Sequence, residues 1–416
     1  MNGIKNRSVV GNKSILIFGA GKIGRSFIGQ LFGLSGYEVI FSDVDISLVK
    51  ALNKRKSYPV IIKGEKEETL LIPNVRAVSG LDRPQIVKEI SQVSLLAVSV
   101  GKNALEKVIP LIAEGLKMRY QTDKNRPLDI IIAENMRSVG EFIYKNLLSY
   151  LPEDYPIDRL VGLVETSIGK MVPIMQQSDL EQDPLMLFAE PYNNLIVDKK
   201  GFKGAIPEVN GLYPKENIKA WVDRKLFIHN LGHATVAYFG GYKHPQAIYI
   251  YEVLKDPEVY GFAKEVMFQA AIILQKRYPK DFSLKDLEAH IEDLLFRFQN
   301  KALKDTIFRV GQDRPRKLGP EDRFVGIIRL AISSGMNYDK ILRAMAYALY
   351  FKETDENGNR SEADILFDNY RLKGLDFLLH KVCRLDPVKD EKIISELKRI
   401  YMTVDKTTNQ NSEKTW

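Results

Sequence analysis

The sequence predicts an α/β chain in two parts: a doubly wound, mostly parallel sheet, followed by a mainly helical domain. Three observations predict it. A strand-like run, SILIF, leads into a glycine-rich turn and a helix-like stretch, and a second strand-like run, YEVIFSD, closes the unit. Short apolar runs then recur at the spacing of further β–α units. From about residue 206 they give way to long amphipathic stretches of helical period, such as YGFAKEVMFQAAIILQKRY and SLKDLEAHIEDLLFRFQNKAL. At 416 residues the chain is also too long for one ordinary core, which asks for two domains. The expected bounds are 14–205 and 206–403, with 1–13 and 404–416 as flexible tails.

Composition narrows the function classes. Hydrophobic residues make up 45% and charged residues 27%, the balance of a soluble globular protein. The single cysteine, Cys383, excludes disulfides and a Cys-rich zinc site, and fits a reducing cytoplasm. No apolar run reaches the ~18–20 residues of a membrane helix. The opening MNGIKNRSVVGNK lacks the apolar core of a signal peptide. The formal charge of +8 is spread along the chain, with no Lys/Arg block interleaved with aromatics. An anionic small substrate is a more economical reading of the charge than nucleic acid or a membrane, although a solvated surface alone would also account for it.

The first unit carries the first motif. After SILIF come Phe18, Gly19, Ala20, Gly21, Lys22, Ile23 and Gly24, with the glycines in G-x-G-x-x-G spacing. Gly19 permits the tight turn, Gly21 lets a pyrophosphate approach the backbone, and Gly24 lets the helix pack on the strand. The helix N-terminus then holds the anion with unpaired N–H groups and its dipole. Asp43 closes the second strand, where a carboxylate binds both ribose hydroxyls and repels a 2′-phosphate. NAD is thus expected over NADP; FAD or S-adenosylmethionine on the same Rossmann-type frame is the alternative. Arg25, just after the glycines, is a candidate pyrophosphate contact.

The runs SLLAVSVG (94–101), LDIIIAEN (128–135) and RLVGLVETSIG (159–169) continue the sheet. Ligands collect at the C-terminal ends of such strands. Val100, Gly101, Glu134 and Asn135 stand there and are expected to face cofactor or substrate, although a plain turn would also account for Gly101. Further on, KETDENGNRSEAD (352–364) reads as a solvated loop.

The second domain opens on KLFIHNLGHA (225–234). On a helix of about 100° per residue, Asn230 and His233 fall about 140° and 80° from Lys225, so all three can point into one cleft. His229 and His233 also have the i, i+4 spacing of metal ligands. A metalloprotease helix would carry Glu after the first histidine, where Asn230 stands, and no cysteine is near to add a ligand. A helix with satisfied polar groups and no chemistry is the plainest alternative. The third reading is acid–base catalysis beside a dinucleotide. Hydride transfer from an alcohol needs a base for the hydroxyl proton and groups that hold the developing carbonyl oxygen. A desolvated lysine near other cations can be that base; Asn230 and His233 would orient the oxygen.

At these residues the chain resembles the polyol-specific long-chain dehydrogenase/reductases, the mannitol dehydrogenase family, whose pattern is K-x4-N-x2-H. FGAGKIGRSFIG, FSDVD, IVDKKGFKGAIP and DRKLFIHNLGHATVAYFGG extend the resemblance from about residue 14 to about 400. It implies a Rossmann-type domain, a helical C-terminal domain and zinc-independent hydride transfer with NAD, with Lys225 as base. The implied substrate is a phosphorylated hexitol, mannitol 1-phosphate, oxidised reversibly to fructose 6-phosphate by a monomer or homodimer. Asn135 matches an asparagine at the reacting oxygen. Arg309 and Lys317 match an Arg/Lys pair that contacts substrate hydroxyls, and Glu190 falls in a segment lining the substrate site. The chain departs from the pattern at Lys102, His229, Leu231 and 170–189. A free polyol or a sugar acid such as fructuronate or tagaturonate therefore stays an alternative, as does a non-catalytic NAD(H) sensor. RVGQDRPRKLGPEDR gathers Arg309, Arg314, Arg316, Lys317 and Arg323 as a candidate phosphate clamp, or else a surface loop balanced by Asp313, Glu321 and Asp322.

Overall fold

The computed structural model describes residues 13–413 apart from Arg137, and leaves aside the side chains of Lys102, Gln177 and 405–413. The expected N-terminal tail lies outside the described residues except for its last residue. The chain divides into two units, 1–218 and 219–416.

Among the described residues the first unit holds eleven strands: β1 (Ser14–Phe18), β2 (Glu38–Asp43), β3 (Tyr58–Lys63), β4 (Glu67–Ile72), β5 (Val75–Ser79), β6 (Leu95–Val98), β7 (Leu128–Ile132), β8 (Val161–Ile168), β9 (Leu187–Ala189), β10 (Leu195–Asp198) and β11 (Leu212–Lys215). Eight form the main sheet in the order β11-β10-β8-β7-β6-β1-β2-β5, and β4-β3-β9 form a small second sheet. Every neighbouring pair of the main sheet is parallel except β10 with β8. β11 lies beyond residue 205 and pairs with β10 from Leu195↔Leu212 to Asp198↔Lys215. This pairing moves the domain boundary from the expected 205 to about 218, because a paired edge strand belongs to its sheet.

Both faces of the sheet are covered, as parallel strands require. Ile15, Ile17, Val39 and Phe41 point into one apolar cluster, and Leu16, Phe18, Ile40 and Val98 into the other. Ile15, Leu16 and Ile17 are all fully buried. Each such side chain contributes about 1.5–3 kcal/mol, and together they make the alternating faces insensitive to any other register. The chain runs from β1 outward through β2 to β5, then returns to the other side of β1 at β6. The ends of β1 and β6 are therefore the switch point where an open α/β sheet binds its ligand.

The second unit is helical. Helix Leu231–Lys243 is its centre, with Ala234 to Gly241 all buried, and it packs against helices Pro257–Arg277 and Asp339–Ala348. Helix starts follow ordinary capping chemistry. Asp256 accepts the Glu258 N–H ahead of Pro257, and Ser283 accepts the Asp286 N–H at the head of Leu284–Phe298. Two expectations fail here. The solvated segment 352–364 ends early, because helix Glu362–Leu372 begins inside it and Asp364 is buried. The C-terminal tail is helical too, since Glu391–Glu413 form one helix whose Tyr401 and Val404 carbonyls accept Tyr350 and Tyr242 hydroxyls. Among the described residues no helix is long and apolar enough to cross a membrane.

Candidate functional site: a dinucleotide cradle and a half-buried lysine

The first unit builds the cradle from the ends of β1, β2, β6 and β7. Gly19 leaves β1 with φ of +92°, and a Cβ there would lie 2.2 Å from the Ser99 carbonyl oxygen. A Cβ on Gly24 would lie 2.0 Å from the Gly19 carbonyl oxygen. These two glycines are required by the fold itself. Gly21 is different: a Cβ there meets nothing within 4 Å. The fold itself does not require glycine there, and the open space over the backbone leaves room for a pyrophosphate. Phe18 closes β1, and Lys22 and Ile23 begin the helix that continues as a π turn over Gly24–Gly29.

Asp43 ends β2 and is tied to the same loop. Its carboxylate accepts the Ala20 N–H at 2.7 Å and the Asp45 N–H at 3.0 Å. It thus fixes the glycine turn from the C-terminal end of β2. Beyond β6, the Glu134 carboxylate accepts the N–H groups of Val100 (2.7 Å) and Gly101 (3.0 Å). Burial pushes its carboxyl pKa up against the pull of those two donors. Asn135 follows Glu134 and is exposed at the same end of the sheet.

Two residues take other places than the sequence suggested. Arg25 is buried, and its guanidinium donates to the carbonyls of Ala20 (2.6 Å) and Leu185 (2.9 Å). It braces the glycine turn from behind and does not face a pyrophosphate, because it sits on the inner side of the π turn. Glu190 is 1% exposed, and its carboxylate accepts the Met171 N–H. It holds the loop after β8.

In the second unit, KLFIHN forms a π turn, Lys225–Asn230, that runs straight into helix Leu231–Lys243. This answers the spacing problem. In an ordinary helix residue 230 would stand about 140° from residue 225, but i→i+5 bonding sets the fifth residue over the first. Asn230 and His233 are then ordinary i, i+3 neighbours. One face thus carries all three side chains. The Lys225 ammonium is pushed from its ordinary 10.5 down to about 8, first by burial, then by Arg323 and Arg316, with Asp322 opposing. Arg323 is itself buried; it donates to Asp322 at 2.8 Å and to the Asn230 carbonyl at 3.2 Å.

His229 and His233 are not arranged as a ligand pair. Their ring centroids are 6.3 Å apart, and His233 stacks face to face on Phe298 at 4.4 Å. Among the described residues no group of three or more His, Cys, Asp or Glu could hold a metal ion. Burial, then Arg309, Lys317 and Arg323, hold the His233 imidazole well below its usual pKa, so it is neutral. Its Nε2 lies 3.4 Å from Asp305 Oδ2, and the Arg309 guanidinium pairs with Asp305 Oδ1.

The basic segment divides. Arg314 is fully buried and pairs with Asp364 (2.8 Å) and Asp368 (3.0 Å). It is a core cation and is withdrawn from the clamp. Lys317 is buried, lowered to about 7 by burial and by Arg323 and Arg316, and donates to the carbonyls of Val310 and Gln312. Arg309 and Arg316 remain substantially exposed, at 46% and 53% of their side chains. Asp305, Phe298 and the Arg323–Asn230 bond were not foreseen. Their partners lie far apart in sequence, and only the i, i+4 spacing of Asp305 and Arg309 hinted at any of them.

The glycine cradle and the Lys–Asn–His face each fall within a matched family domain. Residues 13–211 match the mannitol dehydrogenase Rossmann domain, and residues 217–376 match the mannitol dehydrogenase C-terminal domain. The chain belongs to the mannitol dehydrogenase family. Two solved structures share the fold of this mannitol dehydrogenase family member over nearly their whole length. Pseudomonas fluorescens mannitol 2-dehydrogenase, in ternary complex with NAD and D-mannitol, has a TM-score of 0.73 at 15% identity, covering 97% of this chain and 95% of that one. A substrate-free D-sorbitol dehydrogenase has a TM-score of 0.78 at 16% identity, covering 95% and 94%.

Proposed function

We propose that this family member is an NAD-dependent mannitol-1-phosphate 5-dehydrogenase, interconverting mannitol 1-phosphate and fructose 6-phosphate with a lysine in place of a metal-bound base. Lys225 carries the reading. A lysine held at about 8 among two arginines on a helix face shared with Asn230 and His233 is poised to exchange a proton near neutral pH. Gly21 and Asp43 support NAD as the dinucleotide, and bound NAD supplies the hydride acceptor. Lys225 takes the substrate hydroxyl proton onto Nζ as the alcohol is oxidised and returns it in reduction. Asn230 and Asn135 donate to the oxygen as charge develops on it, and His233 orients the substrate. The exposed Arg309 and Arg316, with Lys317 and Arg323 behind them, support an anionic substrate. The working protein is a cytoplasmic monomer or homodimer.

The test follows NADH absorbance with purified protein and fructose 6-phosphate, fructose, fructuronate or tagaturonate, with and without chelator. Oxidation with fructose 6-phosphate alone, unchanged by chelator, is the expected result. Preference for a sugar acid or a free ketose would overturn the substrate. NADH binding without turnover of any ketose would make the protein a sensor.

A further inference from the structure

His233 and Asp305 present an incomplete pair. His233 Nε2 and Asp305 Oδ2 are both buried, neither has a hydrogen-bond partner, and they face one another at 3.4 Å. Leaving a buried donor and a buried acceptor unpaired is costly to both, so a small movement that joins them is favoured. Catalytic hydrogen bonds are often long before substrate arrives and tighten with it. Neither partner is free to turn away. Phe298 lies parallel to the imidazole, with 7° between the planes. Asp305 is held through its backbone, whose carbonyl accepts the Ile250 N–H at 2.9 Å, and through Arg309 on Oδ1.

The ring is neutral, so it carries one proton, and the partner of one nitrogen decides the role of the other. We propose that Asp305 is a positioning residue: its Oδ2 accepts a hydrogen bond from the Nε2–H of His233, which keeps the ring proton on Nε2 and leaves Nδ1 as a hydrogen-bond acceptor for a substrate hydroxyl. The inference rests on the reading above only in placing His233 at the substrate. It changes one part of that reading. His233 receives a hydrogen bond from the alcohol, while the amide groups of the asparagines donate to the developing oxyanion. Arg309 gains a second task, since neutralising Oδ1 keeps the carboxylate charge from pulling a second proton onto the ring.

The chain has five histidines, few enough for direct observation. The test is a long-range ¹H–¹⁵N correlation spectrum of the full-length, NADH-bound protein labelled with ¹⁵N-histidine, with His233 assigned by its loss in His233→Gln. The Nε2–H tautomer is expected. Asp305→Asn offers an amide donor in place of the acceptor; it is expected to switch His233 to Nδ1–H and to lower kcat by about 100-fold or more, as a wrong tautomer does in other Asp–His pairs. Arg309→Gln is expected to keep the proton on Nε2 and to let Nδ1 gain the ring's second proton at a higher pH than in the unmodified protein. An Nδ1–H tautomer in the unmodified protein overturns the proposal, and that spectrum decides even if Asp305→Asn does not fold. Lost turnover in Asp305→Asn with an unchanged tautomer also overturns it. The spectrum is independent of substrate, so failure of every ketose in the activity panel would refute the proposed function and leave the tautomer result standing.

Discussion

The Arg323 guanidinium donates to the backbone carbonyl of Asn230 at 3.2 Å, and the same group is the leading charged neighbour that lowers Lys225. One side chain therefore both pins the end of the π turn and adjusts the proposed base at its start. Oxidation needs neutral Lys225, so kcat/KM for the alcohol rises with pH through about 8. Arg323→Gln removes a positive charge, which raises the Lys225 pKa. The rising limb of the profile is expected to move to higher pH, with activity at pH 7 falling several-fold and recovering towards pH 10. Profiles of the two proteins between pH 6 and 10 check this. A uniform loss at all pH values would mean that Arg323 acts on geometry alone.

Lys225→Met is expected to abolish turnover while NADH still binds, measured by fluorescence titration. It also makes a stability prediction. The folded pKa of about 8 lies below the ordinary 10.5, so between those values the unfolded chain binds more protons and stability rises with pH. Below pH 8 the charged lysine costs the fold up to about 3 kcal/mol. The methionine variant should therefore melt higher than the parent at pH 7, with the gain shrinking as pH climbs through 8 to 10.5. An equal or lower Tm at pH 7 would contradict the burial argument.

The glycine turn separates folding from binding. Gly21→Ala adds a methyl group into open space, so Tm should hold while Kd for NADH rises at least ten-fold. Gly24→Ala drives its methyl into the Gly19 carbonyl and should lose stability by several kcal/mol. Calorimetry with NADH titration distinguishes the two. Tight NADH binding by Gly21→Ala would remove the pyrophosphate from this turn.

Asp364→Ala leaves the Arg314 charge buried without its main partner. Loss of one member of such a pair costs about 3–5 kcal/mol, so chemical denaturation should show a large drop in stability. KM of the surviving folded protein should not change. A selective rise in KM for a phosphorylated substrate would return Arg314 to the anion site.

The sheet was legible because parallel strands buried on both faces write themselves as unbroken apolar runs, as SILIF and LDIII do. β5, β10 and β11 of that sheet, and the small β4-β3-β9 sheet, were missed; LYPK of β11 carries too little apolar character and is only an edge strand. The Lys225–Asn230–His233 set was legible as residue types at a spacing, although uniform helical geometry sets them apart; a π turn leaves no mark in a local apolar pattern. Within the basic segment, Arg314 was misplaced for a simpler reason. Charge content says nothing about which arginine finds a carboxylate fifty residues on, and Arg314 finds Asp364.

The π turn makes the active face depend on residue count as well as residue identity. Removing any one of residues 226–229 would let the backbone relax into an uninterrupted α-helix. The face would survive, because Lys225 would then stand four residues before Asn230 and seven before His233, about 40° and 20° around the axis. Straightening the turn at its full length would instead leave Lys225 about 140° from Asn230. A shortened stretch thus keeps an alignment that a relaxed one of full length loses.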